Sequence, residues 1–262
     1  MREQRAMDGS VASEGGSFAG ADGIRCEYAM FSRHGGASGG LYESLNVGVM
    51  VGDHADTVAE NRARVRQAMG LAALLTARQV HGAEIYRLQQ PLPGDMEVAG
   101  VDALITDLAE VGLTVQQADC QAVLLFDPKR PAIAAIHCGW RGSVAGIIGR
   151  VVTAMGEAYG SDPGLLRAVI SPSLGPCCAE FVNYRHELPE EFLPFRVGDD
   201  HFDFWRISAM QLQQAGLRPG HVEVVGRCTC CSDDYFSHRR ATRTGLATTG
   251  RNCSVIALRV ES

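Results

Sequence analysis

The sequence predicts a single α+β domain, because strand-like and helix-like patterns alternate along it and no repeat or linker divides it. Its 262 residues lie near the usual upper limit of about 250–300 residues for one hydrophobic core. Apolar residues make up 46% and charged residues 21%, which is the balance of a globular protein. We therefore expect one large core rather than two separate units.

The first 22 residues predict a flexible N-terminal tail, because glycine, serine, alanine and polar residues dominate them. The domain is expected to span residues 23–262. Many glycines at 31–46 indicate a long loop. The next helix is expected to begin at a capping box formed by Thr57 and Glu60, and a strand is expected at 78–85.

The middle of the chain has the clearest pattern. Short apolar runs predict buried strands at 113–117, 122–126 and 132–137. A helix follows, and its predicted apolar face consists of Val144, Ile147, Ile148, Val151, Met155 and Tyr159. The turn between the last strand and this helix is a position where α/β proteins often bind ligands.

The last third of the chain continues the alternation. Strands are predicted at 168–170, 222–225 and 254–260, and a helix is predicted at 207–215, ending before Gly216.

Composition excludes several classes of function. The net charge of −6 argues against a nucleic-acid-binding surface. No apolar run approaches the roughly 20 residues of a membrane-spanning helix. Nine cysteines cannot all pair, so we expect reduced thiols and a cytoplasmic protein.

Three residues next to predicted turns could form a reactive centre: His81, Cys120 and His137. Two histidines and a cysteine suit an open zinc site that activates water. Their separations match no standard metal motif, so buried histidines and a buried thiol are an equally simple explanation. Cys120 and His137 could instead form the nucleophile and base of a cysteine hydrolase.

Arginines beside glycine-rich turns form a second candidate group. Arg33, Arg141 and the pair Arg239-Arg240 could bind phosphate or carboxylate, although a surface salt bridge or loop contact is the simpler explanation for any single arginine. Asp119 and Glu180 are candidate general acids or bases by position alone.

The run Cys228-Thr-Cys-Cys resembles part of a thiolate metal site. A four-ligand site would need a second pair, for which Cys177 with Cys178, or Cys253, are the candidates. We expect ordinary thiols here rather than a second metal.

A set of short motifs in fixed order resembles the YfiH-like family, known under the names polyphenol oxidase (laccase), purine nucleoside phosphorylase and peptidoglycan-editing factor. The motifs are Ser32-Arg-x-Gly-Gly, Tyr42-x-Ser-Leu-Asn46, Gly52-Asp53, Glu60-Asn-Arg62, Gln79-Val-His-Gly82, Asp102-Ala, Ala118-Asp-Cys120, His137-x-Gly-Trp-Arg-Gly142 and Thr249-Gly-Arg251. The resemblance extends from about Ile24 to Val260.

The resemblance implies a four-layer α/β/β/α sandwich with mixed sheets. It also implies that His81, Cys120 and His137 bind a metal, most often zinc, with copper as the alternative. The implied reactions are phosphorolysis of adenosine, inosine or methylthioadenosine and deamination of adenosine. Catalysis would then involve Arg141 together with Cys120 and His137.

The same resemblance implies that the substrate-binding residues are Arg33, Asn46 and Arg240. The expected partners are a purine nucleoside and phosphate, and the protein is expected to be a monomer that binds neither nucleic acid nor membrane.

The chain departs from the family pattern at four places: Cys138, Gln121, Ser171 and the segment 241–248. Cys138 could compete as a ligand, and the others could reshape the pocket.

Two other activities stay open at this stage. One is amide hydrolysis by Cys120 and His137, for example in editing peptidoglycan precursors. The other is phenol oxidation with a single copper, because eight histidines without a His-x-His pair cannot build a multicopper cluster. A further alternative is a non-enzymatic metal-binding or interaction module, in which the three residues only hold three loops together.

Overall fold

The computed structural model describes residues 2–4, 11–21 and 23–260. Within these residues the strands are β1 (Arg2–Gln4), β2 (Ser13–Ala19), β3 (Ile24–Phe31), β4 (Ala73–Arg78), β5 (Ile85–Arg87), β6 (Met96–Ala99), β7 (Ala103–Thr106), β8 (Val111–Gln117), β9 (Gln121–Asp127), β10 (Ala132–Cys138), β11 (Arg167–Ile170), β12 (Arg196–Val197), β13 (His201–Phe202), β14 (Val222–Val224) and β15 (Asn252–Val260). The α-helices are α1 (Ala55–Ala68), α2 (Trp140–Val144), α3 (Ile147–Tyr159), α4 (Tyr184–Glu187), α5 (Phe204–Gln214) and α6 (His238–Arg243). No helix of this described part combines the length and apolar character needed to cross a bilayer.

Two mixed sheets form the centre of the domain. The first sheet has seven strands in the order β1-β2-β3-β15-β8-β4-β6, and the second has six in the order β14-β11-β9-β10-β7-β5. In the first sheet β4 runs parallel to β6 and to β8. In the second sheet β5 runs parallel to β7, and β11 runs parallel to β14. β12 and β13 form a separate hairpin.

The two sheets pack face to face, and helices cover both outer faces. Leu75 and Leu113 of the first sheet meet Leu124 and Ile133 of the second in one buried cluster. The outer face of the first sheet packs against Val65 of α1, and that of the second packs against α3 and α5. The four-layer α/β/β/α sandwich implied by the family resemblance is therefore confirmed.

The predicted strands of the middle and last third are confirmed as β8, β9, β10, β11, β14 and β15, with small changes at their ends. Their apolar runs are buried between the two sheets or beneath the helices, which explains why periodicity identified them.

Two predictions in the first half of the chain are wrong. Helix α1 starts at Ala55 without a capping side chain, so Thr57 lies inside the helix instead of capping it. Residues 79–84 form a loop rather than a strand. The reason is that the Asp102 carboxylate accepts hydrogen bonds from the N–H groups of residues 80–82, which are then not used in a ladder.

The long helix predicted after β10 is divided into two. Gly146 adopts a left-handed backbone conformation with φ of 69° and separates α2 from α3. The predicted apolar face is buried from Ile147 to Met155, whereas Val144 is 43% exposed.

The predicted N-terminal tail contributes strands to the first sheet, which corrects the sequence-based expectation. Strand β2 pairs with β3 along its whole length, and Phe18 stacks against Tyr28. The glycines that indicated a tail have a structural role, because a Cβ on Gly15 would overlap the carbonyl oxygen of Tyr28. The other parts of the predicted tail, residues 1, 5–10 and 22, lie outside the described residues.

We expect Gly15→Ala to lower the free energy of unfolding by about 1–3 kcal/mol, because the added methyl group overpacks the contact between β2 and β3. Gly39→Ala is the matched control, since a Cβ there meets no atom within 4 Å. Urea denaturation measures both, and equal stabilities would contradict the close pairing of β2 with β3.

Candidate functional site

Three segments that are far apart in sequence meet in space. His81 lies in the loop between β4 and β5, Cys120 lies in the turn between β8 and β9, and His137 lies near the end of β10. Their nitrogen and sulfur ligand atoms all lie within 4.8 Å of one another. The two imidazole rings are 4.9 Å apart and nearly perpendicular. The fold thus brings the two histidines and the cysteine together, which their spacing in the sequence could not predict.

The buried carboxylate of Asp102 organises this group. One oxygen accepts hydrogen bonds from Nδ1 of His137 at 2.7 Å and from the backbone N–H of His81 at 2.9 Å. The other accepts the N–H groups of Gly82 at 2.7 Å and Val80 at 3.2 Å. Burial raises the pKa of Asp102, but these hydrogen bonds outweigh it and hold the pKa below its usual value. The ionised carboxylate keeps the proton on Nδ1, so Nε2 of His137 is the nitrogen available to a ligand.

Cys120 and His137 shift the pKa of each other in opposite directions. Burial raises the pKa of Cys120, but His137 and His81 outweigh it and lower that pKa to about 6. Burial lowers the pKa of His137, but Cys120 and Asp102 outweigh it and raise that pKa to about 9. Without a metal, the site therefore holds a thiolate beside an imidazolium between these two values.

The residues present fit a metal ion. Two imidazoles and a thiolate form a donor set used by zinc in open sites and by copper in trigonal sites, so the donors alone do not select the metal. Asp102 supplies the carboxylate that typically orients a ligating histidine. Space is kept open by Gly139, where a Cβ would lie 3.0 Å from Sγ of Cys120 and 3.2 Å from the His81 ring.

The three residues open into a cavity of about 620 Å³. Its walls include the loop 48–51, the turn 116–121, and the apolar side chains of Trp140, Leu174 and Phe181. Trp140 contacts Phe181 edge to face at 6.1 Å. The cavity is large enough for a small organic molecule with an apolar ring.

Four arginines line this cavity: Arg78, Arg141, Arg239 and Arg251. Of the sequence-predicted arginines, Arg141 and Arg239 therefore line the cavity of the His/Cys/His group. The guanidinium of Arg141 lies over the Trp140 ring at 4.3 Å. Within the described residues the guanidinium groups of Arg78 and Arg141 have no hydrogen bond or ion pair, so both are available to an anion.

Arg33 and Arg240 lie away from the cavity wall and bind other parts of the protein. Arg240 donates hydrogen bonds to the carbonyl oxygens of Thr229, Ser232 and Tyr235 and thereby holds that loop in shape. Nε of Arg33 donates to the carbonyl oxygen of Glu43 at 2.6 Å. Guanidinium groups used in this way stabilise loops.

Asn46 is fully buried and positions the loops around the cavity. Its side-chain oxygen accepts hydrogen bonds from the backbone N–H groups of Gly48 at 3.0 Å and Arg251 at 2.8 Å. Its amide nitrogen donates to Asp53 at 2.9 Å. Asn46 thus shapes the site through its neighbours rather than by lining the cavity.

Asp119 lines the cavity, whereas Glu180 does not. Both oxygens of Asp119 already accept hydrogen bonds, one from Thr229 at 2.7 Å and one from the backbone N–H of Arg239 at 2.6 Å. Asp119 therefore fastens the start of α6 to the turn that carries Cys120.

The four departures from the family pattern have different consequences. Cys138 faces the helices, on the opposite side of β10 from His137, and its Sγ contacts Ser143 at 3.2 Å. It lies outside the ligand group, so the expected competition with His137 is not supported. Ser171 accepts a hydrogen bond from the N–H of Ala122.

Gln121 lines the cavity and accepts a hydrogen bond from Ser208, so its oxygen is committed to the protein. No described residue of the segment 241–248 lines the cavity.

Sequence reasoning gave no role to Asp102, Arg78 or Arg251. Asp102 appeared within one of the family motifs, but nothing in the neighbouring residues indicates that its carboxylate reaches His137. Arg251 ends the last motif and is largely buried, which lowers the pKa of its guanidinium. Only the folded arrangement identifies these roles.

Comparisons with known proteins agree with this fold. A family model described as "Multi-copper polyphenol oxidoreductase laccase" matches residues 27–259. Purine nucleoside phosphorylase YlmD of Geobacillus stearothermophilus is 35% identical over 248 residues, covering 88% of this chain and 89% of the relative. A purine nucleoside phosphorylase of Deinococcus radiodurans is 34% identical over 235 residues, covering 86% and 88%. The crystal structure of the hypothetical protein YfiH of Bacillus licheniformis aligns with a TM-score of 0.81 at 29% identity, covering 89% and 93%.

The fold is a mixed α/β sandwich with a His/Cys/His group at a cavity lined by both apolar and basic side chains. The chain belongs to the YfiH-like family, as the order of its motifs indicates.

We expect Asp102→Asn to weaken zinc binding by about 10–100-fold, because His137 loses the carboxylate that orients it. Competition with a chelating dye measures the affinity. Asp127→Asn is the matched control, since Asp127 is also buried and accepts two backbone N–H groups, but in a different turn. Equal zinc affinities in both variants would contradict the positioning role of Asp102.

In metal-free protein, Cys120 should be alkylated with a midpoint near pH 6, because its lowered pKa keeps the thiolate until the pH falls through that value. Peptide mass spectrometry follows this one cysteine among the others. In His137→Gln the midpoint should move up towards 9, the usual thiol value. An unchanged midpoint in this variant would show that His137 does not stabilise the thiolate.

Proposed function

We propose that this protein is a metal-dependent enzyme of purine nucleosides, which cleaves adenosine, inosine or methylthioadenosine with phosphate and deaminates adenosine. The observation that carries the proposal is the His81/Cys120/His137 group opening into a cavity with two arginines that make no hydrogen bond or ion pair to the described residues. The relatives named purine nucleoside phosphorylase support the substrate class.

The arginines would bind the phosphate. Arg141 and Arg78 line the same cavity as the His/Cys/His group, and their guanidinium groups have no competing partner among the described residues. A guanidinium donates two parallel hydrogen bonds to a phosphate, which fixes its orientation as well as its position. The stack of Arg141 on Trp140 limits the rotation of the Arg141 side chain before phosphate arrives.

The apolar part of the wall would receive the purine ring. Trp140, Leu174 and Phe181 lie in one wall, and Met50, which is 78% exposed, lies in the loop 48–51. Flat aromatic and flexible sulfur-containing side chains are suited to a planar base. Closing the loop 48–51 over a bound nucleoside would exclude water from the cavity.

The metal, which we propose to be zinc, would be held by His81, Cys120 and His137. When bound, it supplies Lewis acidity and lowers the pKa of water. Asp102 accepts the hydrogen bond from Nδ1 of His137 and thereby leaves Nε2 as the nitrogen that would bind the metal. Cys120 is already a thiolate near neutral pH, so the proton released on binding would come from Nε2 of His137, whose pKa is about 9 in the metal-free site.

A second candidate activity is amide hydrolysis by Cys120 and His137 without a metal. The observation that favours it is the lowered pKa of Cys120, about 6, beside His137. The same thiolate cannot serve as nucleophile and metal ligand in one active form, so the two proposals exclude each other.

Phenol oxidation, the activity in the family description, would require a single copper held by the same three residues. The eight histidines contain no His-x-His pair, so this copper would have to act alone. We further propose, as part of the first function, that the enzyme acts as a monomer in the cytoplasm.

Incubation of the purified protein with adenosine, with and without phosphate, tests the first function. We expect adenine only with phosphate and inosine without it, with both lost on chelation and restored by zinc. Absence of both products would overturn the proposal. Hydrolysis of an amide substrate that survives chelation but is lost in Cys120→Ser would favour the hydrolase.

We expect Arg141→Gln to raise the KM for phosphate by about 10–100-fold, because one charge-assisted hydrogen-bonding group worth about 1.5–3 kcal/mol is removed. Initial-rate kinetics at saturating nucleoside measure it. Arg150→Gln is the matched control, since Arg150 is exposed on α3 and does not line the cavity. An unchanged KM for phosphate in Arg141→Gln would show that phosphate does not bind to Arg141.

A further inference from the structure

Four cysteines outside the His/Cys/His group lie together in a second cluster, here called the four-thiol cluster: Cys177, Cys178, Cys228 and Cys231. Their sulfur atoms all lie within 4.8 Å of one another. Sγ of Cys231 is 3.5 Å from Sγ of Cys177 and 3.5 Å from Sγ of Cys178. The sequence predicted ordinary thiols here and offered Cys177 with Cys178 as one possible second pair, and the fold places that pair beside the run 228–231.

The sheet topology explains how the two pairs meet. Strands β11 and β14 are parallel neighbours, so the segments that follow them leave the second sheet at the same edge. The segments are then joined by backbone hydrogen bonds, from Ser173 to the carbonyl oxygen of Arg227 at 3.1 Å and from Thr229 to the carbonyl oxygen of Ser173 at 3.0 Å. Cys177 and Cys178 end one segment, and the run 228–231 lies in the other.

The spacing of the sulfur atoms is that of metal ligands rather than of a disulfide. Ligands at about 2.3 Å from a tetrahedral zinc lie roughly 3.8 Å from one another, whereas bonded sulfur atoms are about 2.0 Å apart. Cys231 is equally close to two cysteines and could bond with only one of them. All nine cysteines of the chain are free.

The surroundings of the cluster also suit thiolate ligands. Cys228 and Cys231 have the Cys-x-x-Cys spacing of zinc-binding turns. The backbone N–H of Gly175 donates to Sγ of Cys228 at 3.3 Å. Nη1 of Arg243 lies 3.7 Å from Sγ of Cys178, and its positive charge would offset part of the negative charge of four thiolates.

We propose that the four-thiol cluster binds a structural zinc ion, separate from the metal of the His81/Cys120/His137 group. Four protein ligands leave no open position, so this ion stabilises structure and does not react. The cluster joins two segments that contribute to the cavity wall: Leu174 precedes one pair, and Arg239 follows the other. Cys177 and Cys231 are exposed, which gives the ion access from solvent.

Elemental analysis of the full chain, purified after expression with zinc, tests the proposal by counting metal ions. We expect two metal ions per chain in the wild type and one in Cys120→Ser, which leaves the four thiols intact. The double variant Cys177→Ser/Cys231→Ser should also retain one metal ion, the one bound by the His81/Cys120/His137 group. Cys253→Ser, which removes a buried thiol of β15 outside both groups, should retain two.

The identity of the ligands is tested by replacing zinc with Co²⁺ in Cys120→Ser. Four thiolates around Co²⁺ give intense visible absorption and sulfur-to-metal charge transfer, and we expect both here but not when Cys177→Ser/Cys231→Ser is added. A Cys120→Ser variant that binds no metal overturns the proposal, as does a mass of the wild type lower by two hydrogen atoms, which signifies a disulfide. If the added serines prevent folding, Cys120→Ser by itself still decides the outcome.

These readouts are independent of nucleoside turnover. An inactive protein with two bound metal ions would support the four-thiol cluster while contradicting the proposed enzyme.

Discussion

The buried Asp102 carboxylate is the interaction on which the site depends. It lies immediately before β7 of the second sheet and binds the loop 80–82, which follows β4 of the first sheet. It also binds His137 on β10. One side chain therefore joins the two sheets at the point where the ligands meet, and an ionised carboxylate can be buried there because hydrogen bonds replace its water.

Near this carboxylate, two residues adopt backbone conformations that most residues other than glycine avoid. His81 has a φ of 60° and Asp119 a φ of 86°, in the left-handed region that favours glycine. Both are held by hydrogen bonds from elsewhere in the fold: the His81 N–H donates to Asp102, and Asp119 binds Thr229 and the start of α6. Two of the three non-glycine residues with positive φ in the described part of the chain thus lie at this site, and the third, Glu110, lies elsewhere.

The polar residues in and around the cavity are divided between those that hold loops in place and those whose side chains stay available to a ligand. Asn46, Asp119 and Arg240 use their hydrogen-bonding groups on the protein itself. Arg78 and Arg141 line the cavity without such partners among the described residues. This division concentrates positive charge in one place on a protein whose net charge is −6, which suits an anionic co-substrate.

Sequence patterns predicted the core strands β8 to β10, and the ordered motifs identified the family, whose resemblance implied the three residues of the His/Cys/His group. The spacing of apolar residues reflects which positions are buried, and the fixed order of the motifs is specific to one family. The tertiary structure decided which arginines face the cavity, that residues 13–19 join a sheet, and that Cys177 and Cys178 meet Cys228 and Cys231. These outcomes depend on contacts between residues far apart in sequence, such as Cys177 against Cys231, 54 positions apart, and Asp119 against Arg239, 120 positions apart. Local pattern contains no information about such partners, because they are set by how strands are ordered within the two sheets.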